Sequence, residues 1–235
     1  MSDSTIRVRP KTQTRGEDTR RRILEAALEI FAAQGYEGAS TRALAERAGV
    51  NLPAIQYYFG SKEGLYRAVI GDIIGQTETH MAPLAPQVRA AVADKETQPE
   101  NLLELLCAML ETFVSLVTSG PQIASKRLLF ARAEVEHTPG LDALHENGME
   151  QIFDPCRDLV GRLLGKPTDD PEIVLRTMAL IGQVVVFCHN SALQTLNMPE
   201  LNEATVQTIR ALIREQTQSI VRPLIQANLS GVKSV

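Results

Sequence analysis

Tryptophan is absent from this 235-residue chain, and tyrosine and phenylalanine together supply only 4% of it. The core must therefore be built from aliphatic side chains, and the length suffices for one large domain or two modest ones without covalent staples. Cysteine is also scarce. Cys107, Cys156 and Cys188 are far apart, odd in number and set in apolar or helical sequence, which excludes a disulfide framework and points to a reducing cytoplasm. The N-terminus is polar and basic where an export signal would be apolar. The longest apolar runs, such as 178–188, fall well short of a bilayer span, so neither export nor membrane insertion is expected.

Catalytic signatures are missing as well. The glycines form neither G-x-G-x-x-G nor G-x-x-x-x-G-K-[ST], and no G-x-S-x-G elbow singles out a nucleophile. Of the four histidines, His80, His137, His145 and His189, His137 alone stands in a Glu-x-x-His spacing, Glu134-x-x-His137, which metal sites use. A carboxylate bundle site needs a second such motif on another helix, and none exists. Cys188 and His189 are adjacent, so a helix would point them about 100° apart. The expectation is no enzyme, no cofactor and no metal.

What is present is a charge asymmetry hidden by the net charge of −4. Residues 1–67 hold eleven Lys and Arg against eight Asp and Glu, and the remainder thirteen against twenty, giving +3 and −7. A basic front on an acidic body is the layout of a protein whose front meets phosphates. Residues 1–16 carry Arg7, Arg9, Lys11 and Arg15 among polar residues with almost nothing to bury, and read as a flexible basic arm, either a solvated tail or a reach toward DNA. From about Glu17, Ile23, Ala27, Ile30 and Phe31 repeat at helical spacing until Gly35.

The stretch from Ser40 to Lys62 makes the sharpest geometric prediction. Ser40 or Thr41 can cap a short helix whose Leu44, Ala45 and Ala48 face inward, and Gly49 can end it in a left-handed turn. Pro53 suits the first turn of a second short helix, in which Ile55 and Phe59 face inward with Val50 and Leu44. Leu52, Pro53, Ala54, Gln56, Tyr57 and Tyr58 are left outside. That is the geometry of a helix-turn-helix, whose second helix enters the major groove. Ser61 then caps a fourth helix carrying Leu65, Val69 and Ile73, with Lys62 and its first amides near the same surface. Arg42 can fork to a guanine edge, Gln56 can pair with adenine, and Pro53 offers an apolar edge to a thymine methyl.

The run 21–65, with Phe31 to Gly38 followed by the Tyr58-Phe59-Gly60-Ser61-Lys62-Glu63 ending, resembles the DNA-binding domain of the TetR family of bacterial transcriptional regulators. The resemblance implies base-edge or near-base roles for Arg42, Pro53 and Gln56, and phosphate roles for Thr41, Tyr57, Tyr58 and Lys62. Asn51 and Ala54 belong to the same DNA-binding set. Ala54 stands where many members carry a phosphate-binding hydroxyl, and Gln56 where many carry tyrosine, so the operator sequence does not transfer.

Beyond Ile74, Pro83, Pro86 and Pro99 punctuate a segment read as a helix end and a connection. Long helical patterns follow: Leu102 to Val117, Pro121 to about Glu136, Leu141 to Leu164, Asp170 to about Asn197 and Asn202 to about Asn228. No period-two pattern appears, so the chain reads as all-α. The expected organisation is an arm at 1–16, a helix-turn-helix domain at 17–62 and an effector-binding and dimerisation domain at 63–235. Met178 to Cys188 is apolar on nearly all sides apart from Gln183 and needs something to cover its outer face. With Val206, Ile209, Ile213, Gln216 and Ile220 at three-four spacing, and Gly182 permitting close approach, it predicts a four-helix bundle between two subunits.

The segments 126–165 and 182–198 are similar to the ligand-binding domain of the CecR-like branch of TetR regulators. The resemblance implies a small-molecule effector held between long helices. Phe113, Val117, Phe130 and Phe187 are the candidate apolar lining, and Arg127, Gln183, His189 and Asn190 the polar anchors. The function expected is a cytoplasmic homodimeric repressor that binds a palindromic DNA operator and is released by its effector, with coupling through the fourth helix, 62–79. An activator or effector-independent regulator is the alternative. An enzyme or carrier with a vestigial helix-turn-helix is disfavoured by the intact Arg42, Gln56, Tyr57 and Lys62 surface.

Overall fold

A computed structural model describes residues 11–136, 138, 150–188 and 201–230. Among them the regular elements are all helical: α1 Lys11–Gly38, α2 Thr41–Ala48, α3 Leu52–Phe59, α4 Lys62–Met81, α5 Ala85–Ala93, α6 Pro99–Thr118, α7 Ile123–Glu136, α8 Glu150–Leu164, α9 Pro171–Val185 and α10 Glu203–Leu229. A 3-10 turn, Val186–Cys188, extends α9.

Local chemistry sets the helix starts. The Ser40, Asn51 and Ser61 side chains accept from the amides of Ala43, Ala54 and Gly64 at 3.1, 3.1 and 2.9 Å. Asp170 and Asn202 do the same for α9 and α10 through Glu172 and Thr205. Each occupies one amide that the helix itself leaves without an acceptor. Gly49 closes α2 in the left-handed region, at φ 63° and ψ 38°, which is why the two short helices meet so tightly.

Several expectations need correction. Residues 11–16 of the expected arm are helical, continuous with α1, and Thr19 Oγ1 donates to the Arg15 carbonyl at 2.9 Å; residues 1–10 lie outside the described residues. With no proline between 11 and 22, nothing stops α1 from propagating toward its N-terminus. The connection after Ile74 is not irregular either. Residues 85–93 form α5, because Pro86 stands in a first turn, where proline is tolerated, and Val88 is buried. Helices Pro99–Thr118 and Pro171–Cys188 are long and apolar enough, by length and composition, to cross a membrane, although the longest apolar runs fall short of a span. The glutamates of the first and Thr177 and Gln183 of the second break the runs without making either helix polar overall. Nevertheless α6 lies in the middle of the bundle, with Leu103, Leu106 and Leu110 fully buried.

Two aliphatic cores organise the chain. The first joins Ile23, Ala27 and Phe31 of α1 to Leu44, Ile55, Leu65, Tyr66 and Ile73, and it also takes Leu129 from α7. The second, larger core is centred on α6 and takes Cys156 and Leu159 of α8, Ile181 and Val184 of α9, and Ile213 and Val221 of α10. The helix α4 enters both, since its far end places Met81 in the second core.

Candidate nucleic-acid interface

The inner corner of the helix-turn-helix is closed by Leu44, Ala45, Ala48 and Ile55, all buried. Val50 and Phe59 pack against it in part, with the Arg20 guanidinium 5.3 Å from the Phe59 ring centroid. Burying that corner fixes which side chains face out. Arg42, Asn51, Pro53 and Gln56 are exposed, Thr41 and Ala54 are half-buried, and Tyr57 is 83% exposed. A phenol ring left that open on an α-helix buries little beyond its edge against Tyr58, which suits a group that meets a partner.

Other members of the expected set have structural duties. Asn51 uses its carbonyl oxygen to cap α3, leaving its amide nitrogen for a partner. Tyr58 is half-buried against the first core and meets the Tyr57 ring edge-on at 5.0 Å, so its ring covers the corner. Lys62 turns its ammonium toward the end of α1, where it donates to the Glu37 carbonyl at 3.4 Å and lies 4.6 Å from the Tyr36 ring centroid. A phosphate contact by Lys62 would compete with that seat.

The expected effector set is split by the fold. Phe113 is buried in the second core, and Val117 and Phe187 pack against it. Phe130 packs instead on the first core. Gln183 donates to Thr217 Oγ1 at 3.3 Å and lines a groove of about 310 Å³ with Ala179, Leu180 and Ile220. Arg127 is buried, and His189 and Asn190 lie outside the described residues. So do His137, His145 and much of the segments at 137–149 and 189–200. Among the described residues no group of acidic, histidine or cysteine side chains is placed to hold a metal.

Sequence reasoning missed how α7 is tied to α1. The helix α7 lies along α1 and grips it at both ends. Gln122 donates to the Glu25 carbonyl at 3.0 Å and to Glu29 Oε1 at 3.1 Å, while Glu29 also pairs with Arg47 of α2. At the far end Arg132 donates to the Ala33 carbonyl at 3.0 Å, and Glu136 accepts from the Tyr36 amide at 3.2 Å. These pairs are about a hundred residues apart in sequence, and no local pattern announces them.

Two family profiles fit this arrangement. Residues 23–69 match the bacterial regulatory proteins of the tetR family, and residues 102–224 match the C-terminal domain of the HTH-type transcriptional dual regulator CecR. The chain belongs to the TetR family of bacterial regulatory proteins. As a TetR-family protein it is a DNA-binding transcriptional regulator and not an enzyme. It is similar to the dual regulator CecR of Shigella flexneri, at 29% identity over 76% of this chain and 79% of that one. It is also similar to the transcriptional activator FasR of Mycolicibacterium smegmatis, at 31% identity over 65% of this chain and 61% of that one. Among solved structures, a TetR-like regulator from Rhodococcus sp. RHA1 superposes with TM-score 0.58 at 20% identity, covering 91% of this chain and 96% of the other. The SmeT–triclosan complex gives 0.56 at 17%, covering 86% and 91%. The likeness to these two TetR-like folds spans both cores.

Proposed function

We propose that this regulator acts as a homodimer that grips a palindromic operator and is released by a small-molecule effector bound in residues 63–235. Residues 17–62 are the reading head, with Arg42, Pro53 and Gln56 at base edges and Thr41, Tyr57 and Tyr58 on the phosphates. Asn51 and Ala54 sit between them, and Lys62 steadies the end of α1. The observation that carries this reading is the exposed Arg42, Pro53, Gln56 and Tyr57 surface over a buried corner. Its test is a gel shift on the DNA upstream of its own gene, with and without Arg42→Ala. Loss of specific binding supports the reading; unaltered base preference contradicts it.

The dimer reading rests on an apolar face without a cover in one chain. Leu175, Met178 and Val186 of the α9 stretch are 65, 56 and 49% exposed, and Leu212 and Ile220 of α10 are 47 and 50% exposed. A monomer rarely leaves such a contiguous face to water. The stripe expected on α10 needs correction, however: Val206, Ile209 and Ile213 are buried in their own chain, and Thr217, Val221 and Ile225 continue that inward row. At 3.6 residues per turn the outward row is therefore Leu212, Gln216 and Ile220. Two such faces would pair about a twofold axis and set two reading helices about 34 Å apart.

Effector coupling through α4 is supported by its place in both cores. A change in its tilt would alter the spacing of the two reading heads. A second reading is activation, favoured by the likeness to a dual regulator and to an activator. Deleting the gene and following its promoter in a reporter separates the two, since repression predicts a rise and activation a fall. Both readings place the protein in the cytoplasm, where the DNA is.

A further inference from the structure

Arg127 is the most buried charged side chain among the described residues, at 7% exposure, yet its Nε and Nη1 find no hydrogen-bond partner there. Arg132, Arg157, Arg162 and Arg210 each leave only Nε without a partner and hold an acceptor through a terminal nitrogen. Arg47 pairs with Glu29, Arg214 with Glu104 and Glu111, and Arg222 with Glu100. Burial pulls the Arg127 pKa below the ordinary guanidinium range, and the charge of Cys188 acts in the opposite direction. A guanidinium nevertheless keeps its proton in a folded protein, so a full positive charge sits here out of water. Such a charge is costly unless an anion joins it, and its fork of donors matches a carboxylate or phosphate.

The position on α7 gives the charge a route to the DNA-binding head. The neighbouring Lys126 donates to Gln76 Oε1 of α4 at 2.5 Å, Leu129 enters the first core, and Gln122, Arg132 and Glu136 hold α1. Toward the other side Cys188 lies within electrostatic reach of Arg127, in the turn Val186–Cys188 whose Phe187 packs on the larger core. A ligand on Arg127 would thus lie between the effector-side core and the helix that clamps α1.

We propose that the effector is an organic oxyanion, an apolar body with a carboxylate or phosphate that takes the open donors of Arg127, and that it loosens operator binding through α7. This rests on the reading of the chain as an effector-released regulator.

The test is thermal unfolding of the full chain at constant ionic strength with octanoate, octanamide, octyl phosphate, benzoate and benzamide, each on wild type, Arg127→Met and Arg127→Lys. The proposal expects at least one acid to raise the wild-type midpoint by several degrees while its amide does not, and octanoate against octyl phosphate tells which oxyanion is preferred. Arg127→Met should lose that difference while remaining at least as stable as wild type, and Arg127→Lys should keep part of it. Three results would overturn it: acid and amide acting alike, a difference that survives in Arg127→Met, or no difference in any protein. A fall of several degrees in both variants without ligand would do so too, since Arg127 would then already have an internal partner. A gel shift with the same compounds keeps the two readings apart. Release of DNA equally by acid and amide sinks the oxyanion and leaves effector control standing; thermal stabilisation without release supports the site and removes the route through α7.

Discussion

The Tyr66 hydroxyl and Thr138 Oγ1 lie 2.8 Å apart, both buried, and join the second turn of α4 to the residue two beyond the end of α7. The Tyr66 ring also stands edge-on to Phe31 at 4.9 Å and to Tyr36 at 5.1 Å, so one side chain holds α1, α4 and the end of α7 together. Tyr66→Phe keeps those ring contacts but leaves the Thr138 hydroxyl buried and without that partner. The expected loss is about 1–2 kcal/mol of stability, read by urea unfolding. A double change with Thr138→Val should cost less than the two single changes added together.

Gly35 sits at φ 75° inside α1, where the helix kinks, and a β-carbon there would come within 2.6 Å of Glu136 Oε1. Gly35→Ala is therefore strained in its backbone and also pushes away the carboxylate that accepts from the Tyr36 amide. The expected cost is roughly 2 kcal/mol. Glu136→Gln keeps an acceptor and loses only the half-exposed ion pair to Arg132, so it should cost less than about 1 kcal/mol.

Much of this fold was readable from the chain alone, and the reason differs by element. The short helices carry their own punctuation in Ser40, Gly49, Asn51, Pro53 and Ser61, so their positions and outward faces follow from local chemistry. The outward face of α10 did not, because three-four spacing describes two adjacent rows until packing chooses one. The seat of Lys62 on Tyr36 and the buried state of Arg127 depend on partners far away in sequence, and those no spacing reveals.

Burial pushes the Cys156 thiol up to about 12 and Cys107 to about 11, from an ordinary 9.0. A raised acid pKa means that the stabilisation from keeping these thiols neutral is complete below about pH 9 and is lost as pH rises toward those values. Stability in urea should accordingly fall above pH 9, and Cys107→Ser with Cys156→Ala should flatten that fall. In a thiol-reagent assay at pH 8, neither cysteine should react until the protein unfolds.

Leu175→Glu and Met178→Glu each place a carboxylate on the uncovered apolar face. Both should leave helix content unchanged by circular dichroism and shift the mass seen by light scattering from two chains to one. Operator affinity should fall by at least tenfold, because a single head loses the second half-site.

The most direct measurement is selection of bound duplexes from random DNA by the purified protein, compared with the same selection by Arg42→Ala and Gln56→Ala. The account predicts two inverted half-sites about one helical turn apart, each reader change relaxing one base position in both halves at a cost of about 1–3 kcal/mol. Enrichment of no sequence by the wild type, or of the same sequence with unaltered preference by both variants, would contradict it.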